Sequence, residues 1–273
     1  MTTGPLSIED FEPGTFSHDG KERAVFRRGT GPAVVVIAEM PGITPKVLEF
    51  AGRVVDIGCS AVLPHLFGTP GRDPNGGSGL SNAAYMASSI IPACVSREFA
   101  TFATGRTSPV VDWLRALAAA EHERCGGPGV GAVGMCFTGG YALAMATDDR
   151  LLAPVLSQPS MPLGFTKAQK RSFDISPDDL AAVQHRCAAD GLQVIGLRFK
   201  GDKFVPAERF QFLREALGDA FVAVELPDDT ANPEGGSKPH SVLTDHLVDA
   251  PGEPTRDALD QVLDLFRSRL LAA

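Results

Sequence analysis

Apolar residues fall into two kinds of block that alternate along the chain. The first kind is continuous and rich in β-branched residues: 33–38 (Ala-Val-Val-Val-Ile-Ala), 60–63, 130–133, 151–156, 194–199 and 221–226. Such unbroken runs predict strands buried on both faces of a parallel sheet. The second kind recurs every three or four positions and predicts helices. These are 45–57, apolar at Val47, Phe50, Val54 and Ile57; 109–122, at Val110, Leu114, Leu117 and Ala118; 178–189; 207–217; and 255–270, at Leu259, Val262, Leu263 and Phe266. Pro45 suits a first helical turn and Gly58 an exit. Residues 83–103 read as mixed helical material interrupted by Pro92, and 21–28 alternate loosely, as an edge strand does. Strands alternating with helices define an α/β fold, a mostly parallel central sheet with helices on both faces.

Between these blocks lie segments rich in Gly, Pro and polar residues. Residues 1–20 predict an irregular N-terminal segment, with a single domain over 21–273. Residues 64–80 and 227–239 are loops, the former long enough to serve as a lid. Residues 158–191 break the alternation with Pro159, Pro162 and Pro177, and form either a cap over the site or a long crossover.

Composition narrows the function classes. At 273 residues and 44% hydrophobic, the chain has enough apolar material for a full core in one domain. Its net charge of -8, with no basic cluster, argues against nucleic acid or an anionic membrane surface as partner. No apolar run reaches membrane-spanning length. Residues 1–14 contain neither a basic leader nor an apolar run, which points to the cytoplasm. Five cysteines (Cys59, Cys94, Cys125, Cys136 and Cys187) are scattered without a C-x-x-C pair, which is neither a disulfide framework nor a zinc ligand set. The six histidines include no H-x-x-x-H or H-E-x-x-H spacing, so no metal site is expected.

The densest chemical signal is residues 131–140, Gly-Ala-Val-Gly-Met-Cys-Phe-Thr-Gly-Gly, entered from an apolar run and left by a helix-forming one over 141–146. Strand, sharp turn and helix place Cys136 at the tip, above the sheet edge, where small neighbours are needed because the backbone is strained and closely approached. The following helix directs unpaired N–H groups at the thiol, favouring the thiolate and offering donors to a developing oxyanion.

Active sites in such sheets collect at the carboxyl ends of strands. Three titratable residues stand there: Glu39 after 33–38, Asp202 in Lys-Gly-Asp-Lys-Phe-Val-Pro after 194–199, and His240 in Lys-Pro-His-Ser after the last strand. Cys136, Asp202 and His240 follow the chain order nucleophile, acid, base of hydrolases built on this sheet. His240 can take and return protons near neutral pH, and Asp202 can hold its tautomer. Glu39, joined to a buried strand, is expected to face inward with a raised pKa and to share a proton with Cys136. The backbone N–H groups of Phe137 and Met40 form the natural oxyanion pair, since Pro41 has none to offer.

Taken together, Gly134-x-Cys136-x-x-Gly139-Gly140, Glu39, Gly-Asp202-x-Phe-Val-Pro and His240-Ser241 resemble the dienelactone hydrolase family, from about Gly20 to the C-terminus. The resemblance implies an α/β-hydrolase fold and a Cys/Asp/His triad acting on esters and lactones. It also implies a glutamate that pairs with the resting thiol and moves to activate it, here Glu39. Two positions depart from the pattern: Thr138 stands where typical members have Gly, and Thr244 where enzymes of the carboxylated lactone have Arg. Arg97 and Arg106 are then the candidates for holding a substrate carboxylate.

The expected activity is hydrolysis of a small ester or lactone through an acyl-enzyme on Cys136, without a cofactor, by a monomer or homodimer. A thioesterase or acyl transferase would use the same groups. In a redox-responsive binding protein, Cys136 would be only an exposed thiol that oxidises readily.

Overall fold

The computed structural model describes residues 5–96, 98–99, 104–236 and 238–272. The chain opens with a hairpin in which β1 (Glu12–His18) pairs antiparallel with β2 (Lys21–Arg28). This corrects the expectation of an irregular segment over 1–20 and of β2 as the sheet edge. The two-residue turn is Asp19-Gly20, both at positive φ (47° and 72°), the conformation whose twist matches a hairpin. β1 tolerates Pro13 and Gly14 because it is the outermost strand, and it is held by Phe16, whose ring meets Trp113 edge-on at 5.3 Å.

Then follow β3 (Ala33–Ile37), α1 (Pro45–Asp56), β4 (Ser60–Pro64), α2 (Gly79–Val95), α3 (Val110–Cys125), β5 (Val130–Met135), α4 (Tyr141–Met145) and β6 (Leu151–Ser157). The chain continues through α5 (Lys167–Lys170), α6 (Pro177–Ala189), β7 (Val194–Phe199), α7 (Ala207–Leu217), β8 (Phe221–Leu226) and α8 (Pro254–Phe266). Among the described residues, eight strands form one sheet in the order β1-β2-β4-β3-β5-β6-β7-β8, parallel from β4 onward. Local rules place the ends: Thr44 caps α1 by accepting the Val47 N–H at 3.3 Å, with Pro45 in the first turn. α2 is longer at its start than the periodicity suggests, because Ser78 caps it, and Pro92 falls in its last turns rather than dividing it. Among the described residues, no helix is long and apolar enough to cross a membrane.

β3 shows how the sheet makes two cores. Val35 and Ile37 face a layer that includes Leu114 and Leu117 of α3 and Leu143 of α4, whereas Val34 and Val36 face Val47 and Phe50 of α1 and Val262 and Phe266 of α8. Side chains alternate across a strand, so a run apolar at every position requires cover on both faces. Each fully buried Val or Leu contributes about 1.5–3 kcal/mol. The central strands are thereby fixed, and with them the loops at their carboxyl ends.

Candidate active site

β5 delivers Cys136 into a left-handed backbone conformation, φ 52°, at the start of a 3-10 turn over Cys136–Thr138. A non-glycine residue held there is strained, and the neighbouring glycines make the turn possible. A Cβ on Gly134 would lie 2.1 Å from the Thr138 carbonyl oxygen, and one on Gly139 would lie 2.4 Å from Pro159 Cα. The helix expected to bear on the thiol is the short α4, Tyr141–Met145, separated from Cys136 by that 3-10 turn. Its field is correspondingly small, and the turn's own N–H groups are the nearer donors.

Thr138, the departure from glycine at the elbow, is completely buried and works as a brace. Its Oγ1 accepts the Met135 N–H at 3.0 Å and lies 2.8 Å from the Ile37 carbonyl oxygen, to which it donates. One hydroxyl therefore joins the Cys136 turn to the end of β3, two residues before Glu39.

His240 Nδ1 stands 2.6 Å from Asp202 Oδ2, and Asp202 Oδ1 accepts the Phe204 N–H at 2.9 Å. Burial opposes a charge on His240, but the adjacent Cys136 sulfur and the Asp202 carboxylate outweigh it and hold the imidazole pKa well above its usual value. The Phe204 ring meets the imidazole edge-on at 5.7 Å. Behind the loop, buried His246 uses Nδ1 to accept the N–H of Ser241 at 3.2 Å, and burial lowers its pKa, keeping it a neutral acceptor.

Glu39 is buried, as expected for a residue joined to β3. Its Oε2 accepts Ser241 Oγ–H at 2.7 Å and Gln158 Nε2–H at 3.1 Å, and its Oε1 accepts the Thr244 hydroxyl. Burial raises its pKa, with the Thr244 and Ser241 hydroxyls and the charge of His240 opposing in part. Ligand atoms of Glu39, Cys136 and His240 all lie within 4.8 Å of one another. On the other flank, Ser160 Oγ is 3.7 Å from Cys136 Sγ, and its backbone N–H donates to the Cys136 carbonyl at 2.9 Å.

Cys136, Asp202, His240 and Glu39, read from separate strand ends, are thus brought together. Phe137, next to the thiol, is buried with its ring edge-on to Phe67 and Phe99, each at 5.5 Å, and Met40 follows Glu39. Arg106 is exposed on the segment leading into α3, and Arg97 lies outside the described residues. The residues that sequence reasoning missed are Gln158 and Ser160. Gln158 directly follows β6, so the rule of searching strand ends would have found it had neutral polar residues been admitted beside titratable ones.

An elbow between strand and helix that carries a candidate nucleophile, with candidate acid and base on later loops of a mostly parallel sheet, defines the α/β-hydrolase class. The sequence profile of the dienelactone hydrolase family matches residues 24–226, and the chain belongs to that family. No curated protein matches it in sequence. Among solved structures, it is similar to a dienelactone hydrolase-like promiscuous phosphotriesterase from metagenomic libraries, at 16% identity over 95% of this chain and 98% of that one, TM-score 0.56. A cold-adapted esterase from an Arctic intertidal metagenomic library is 16% identical over 94% of this chain and 92% of that one, TM-score 0.54. A thioesterase domain from the curacin biosynthetic pathway is 10% identical over 93% of this chain and 99% of that one, TM-score 0.54. At these identities the likeness is one of fold.

Proposed function

We propose that the protein is a cysteine-dependent hydrolase of small, uncharged esters or lactones. The observation that carries this reading is the alignment of three groups: Cys136 on a left-handed elbow, His240 beside its sulfur, and Asp202 Oδ2 at 2.6 Å from His240 Nδ1. Cys136 Sγ attacks the carbonyl carbon, and the oxyanion rests on the backbone N–H groups of Phe137 and Met40. His240 passes its proton to the leaving oxygen as the tetrahedral adduct collapses to a thioester on Cys136. Water then attacks the thioester, gives its proton to His240, and releases the acid. Asp202 holds Nδ1 so that Nε2 faces the reaction. The rings of Phe67, Phe99 and Phe137 favour an apolar group beside the elbow, and the side chains hydrogen-bonded to Glu39, those of Ser241, Thr244 and Gln158, are neutral.

The test compares p-nitrophenyl acetate and butyrate hydrolysis by the parent and by Cys136→Ala. Steady release of nitrophenol that falls at least about 10³-fold in the variant is expected. One equivalent released without turnover would transfer the assignment to acyl transfer or to a binding protein with a reactive thiol.

A further inference from the structure

The Glu39, Cys136 and His240 cluster offers one carboxylate oxygen, one sulfur and one imidazole nitrogen, all mutually within 4.8 Å. We propose that these three side chains bind a zinc ion, and that zinc bound there blocks the thiol. The site is a property of tertiary structure alone, since its ligands come from the ends of β3 and β5 and from the last long loop. No spacing motif could reveal it.

Four features fit zinc. The donor set is mixed S, N and O, which suits a borderline-soft ion and disfavours Mg²⁺ or Ca²⁺, both of which require mainly oxygen. Asp202 occupies His240 Nδ1 at 2.6 Å and leaves Nε2 as the ligand, the carboxylate–histidine arrangement that orients metal-binding imidazoles. Glu39 is oriented by Ser241, Gln158 and Thr244, and its Oε1, which accepts only the Thr244 hydroxyl, keeps one lone pair for a metal. Ser160 Oγ, 3.7 Å from the sulfur, can donate to a metal-bound thiolate.

Distance sets the required adjustment. Zinc bonds of about 2.0–2.3 Å place tetrahedral ligands roughly 3.3–3.8 Å apart. Donors at up to 4.8 Å must therefore close by about 1 Å, within reach of side-chain rotation. Three protein ligands leave the fourth position for water, on the side where Cys136 and His240 are partly exposed. On binding, the proton held between Cys136 Sγ and His240 Nε2 goes to solvent, so that a neutral imidazole nitrogen and a thiolate face the ion, and a sulfur lone pair forms the Zn–S bond. The same pair is then no longer available to attack a carbonyl, so zinc acts as an inhibitor rather than a cofactor.

The experiment reads metal binding directly and does not depend on turnover, so it stands or falls separately from the proposed hydrolysis. The full-length protein, stripped with chelator, is titrated with ZnCl₂ against a competing chromophoric chelator, and with CoCl₂ by absorbance. One equivalent of zinc is expected to bind, with a sulfur-to-cobalt charge-transfer band for Co²⁺. Cys136→Ala should abolish the band and weaken zinc at least about 100-fold, and Glu39→Gln should weaken it about 10-fold or more. If the parent hydrolyses p-nitrophenyl acetate, stoichiometric zinc should stop it and chelator restore it. Absence of binding, or binding undiminished in Cys136→Ala, would overturn the site. Binding that needs Cys136 but is indifferent to Glu39→Gln would overturn the three-ligand assignment. Circular dichroism of each variant separates a lost ligand from a lost fold.

Discussion

Two buried ionisable side chains, Glu39 and Arg209, are held in opposite ways. Glu39, 4% exposed, is bound by side chains: the hydroxyls of Ser241 and Thr244 and the amide of Gln158. Arg209, 0% exposed, is bound by backbone: its guanidinium donates to the carbonyls of Pro159, Pro162, Gln169, Ser172 and Phe204. Hydroxyl and amide rotors can turn and find other partners, so a carboxyl among them can move toward a sulfur or a metal. Carbonyls fixed in a chain cannot turn, and a cation that satisfies five of them fastens the segment it touches. Burial lowers the Arg209 pKa to about 10, with Asp202 and Asp174 opposing, so it remains charged at neutral pH. Arg209 thereby knits the segment between β6 and α6 to the loop after β7 that bears Asp202. One cradle is built of side chains around a candidate site group; the other is built of backbone and holds the chain around it.

The largest effect should come from breaking the rigid cradle. Arg209→Met leaves five carbonyls without their donor, those of Pro159 and Pro162 in buried bonds, and a loss of about 4 kcal/mol in unfolding free energy is expected by urea titration. Ester turnover per folded molecule should change much less. A stability within about 1 kcal/mol of the parent would show that Arg209 does not fasten the segment.

A smaller effect belongs to Asp174, beside the same cradle. Burial pushes its pKa up to about 7, even though Ser108 donates to it through both N–H and O–H. A carboxyl raised in the folded state binds more protons there than in the unfolded chain, so stability falls as pH rises from about 4 to about 7. Asp174→Asn should remove that component, leaving a flatter profile of urea midpoint against pH. An unchanged slope would place the dependence elsewhere.

The smallest effect probes the side-chain cradle around Glu39. Glu39→Gln replaces a carboxylate within 4.8 Å of Cys136 by a neutral group of similar shape. With chelator present, iodoacetamide alkylation of Cys136 should change about three- to tenfold near neutral pH, with an altered pH profile. A superimposable profile would mean that Glu39 does not act on the thiol.

Much of this architecture was legible because it is local. The ranges of β7, α7 and β8 follow directly from unbroken apolar runs and helical spacing, and the elbow from glycines whose absent Cβ atoms leave room for the turn. Asp202 and His240 were legible as candidates because strand order and sheet chemistry restrict where a candidate acid and base can stand, and the structure pairs them at 2.6 Å. The N-terminal hairpin was legible too, in Asp19-Gly20, but weak alternation in β1 concealed it.

The sequence by itself determined the sheet, the elbow and the identities of Cys136, Asp202, His240 and Glu39, because periodicity and turn chemistry act over a few residues. Only the tertiary structure decided who surrounds them. Gln158, Ser160, Ser241 and Thr244 meet Glu39 and Cys136 across as many as 205 positions of sequence, and Arg209 meets carbonyls up to 50 positions away. Contacts of that span depend on how the sheet twists and how its crossovers close, and no local pattern encodes them.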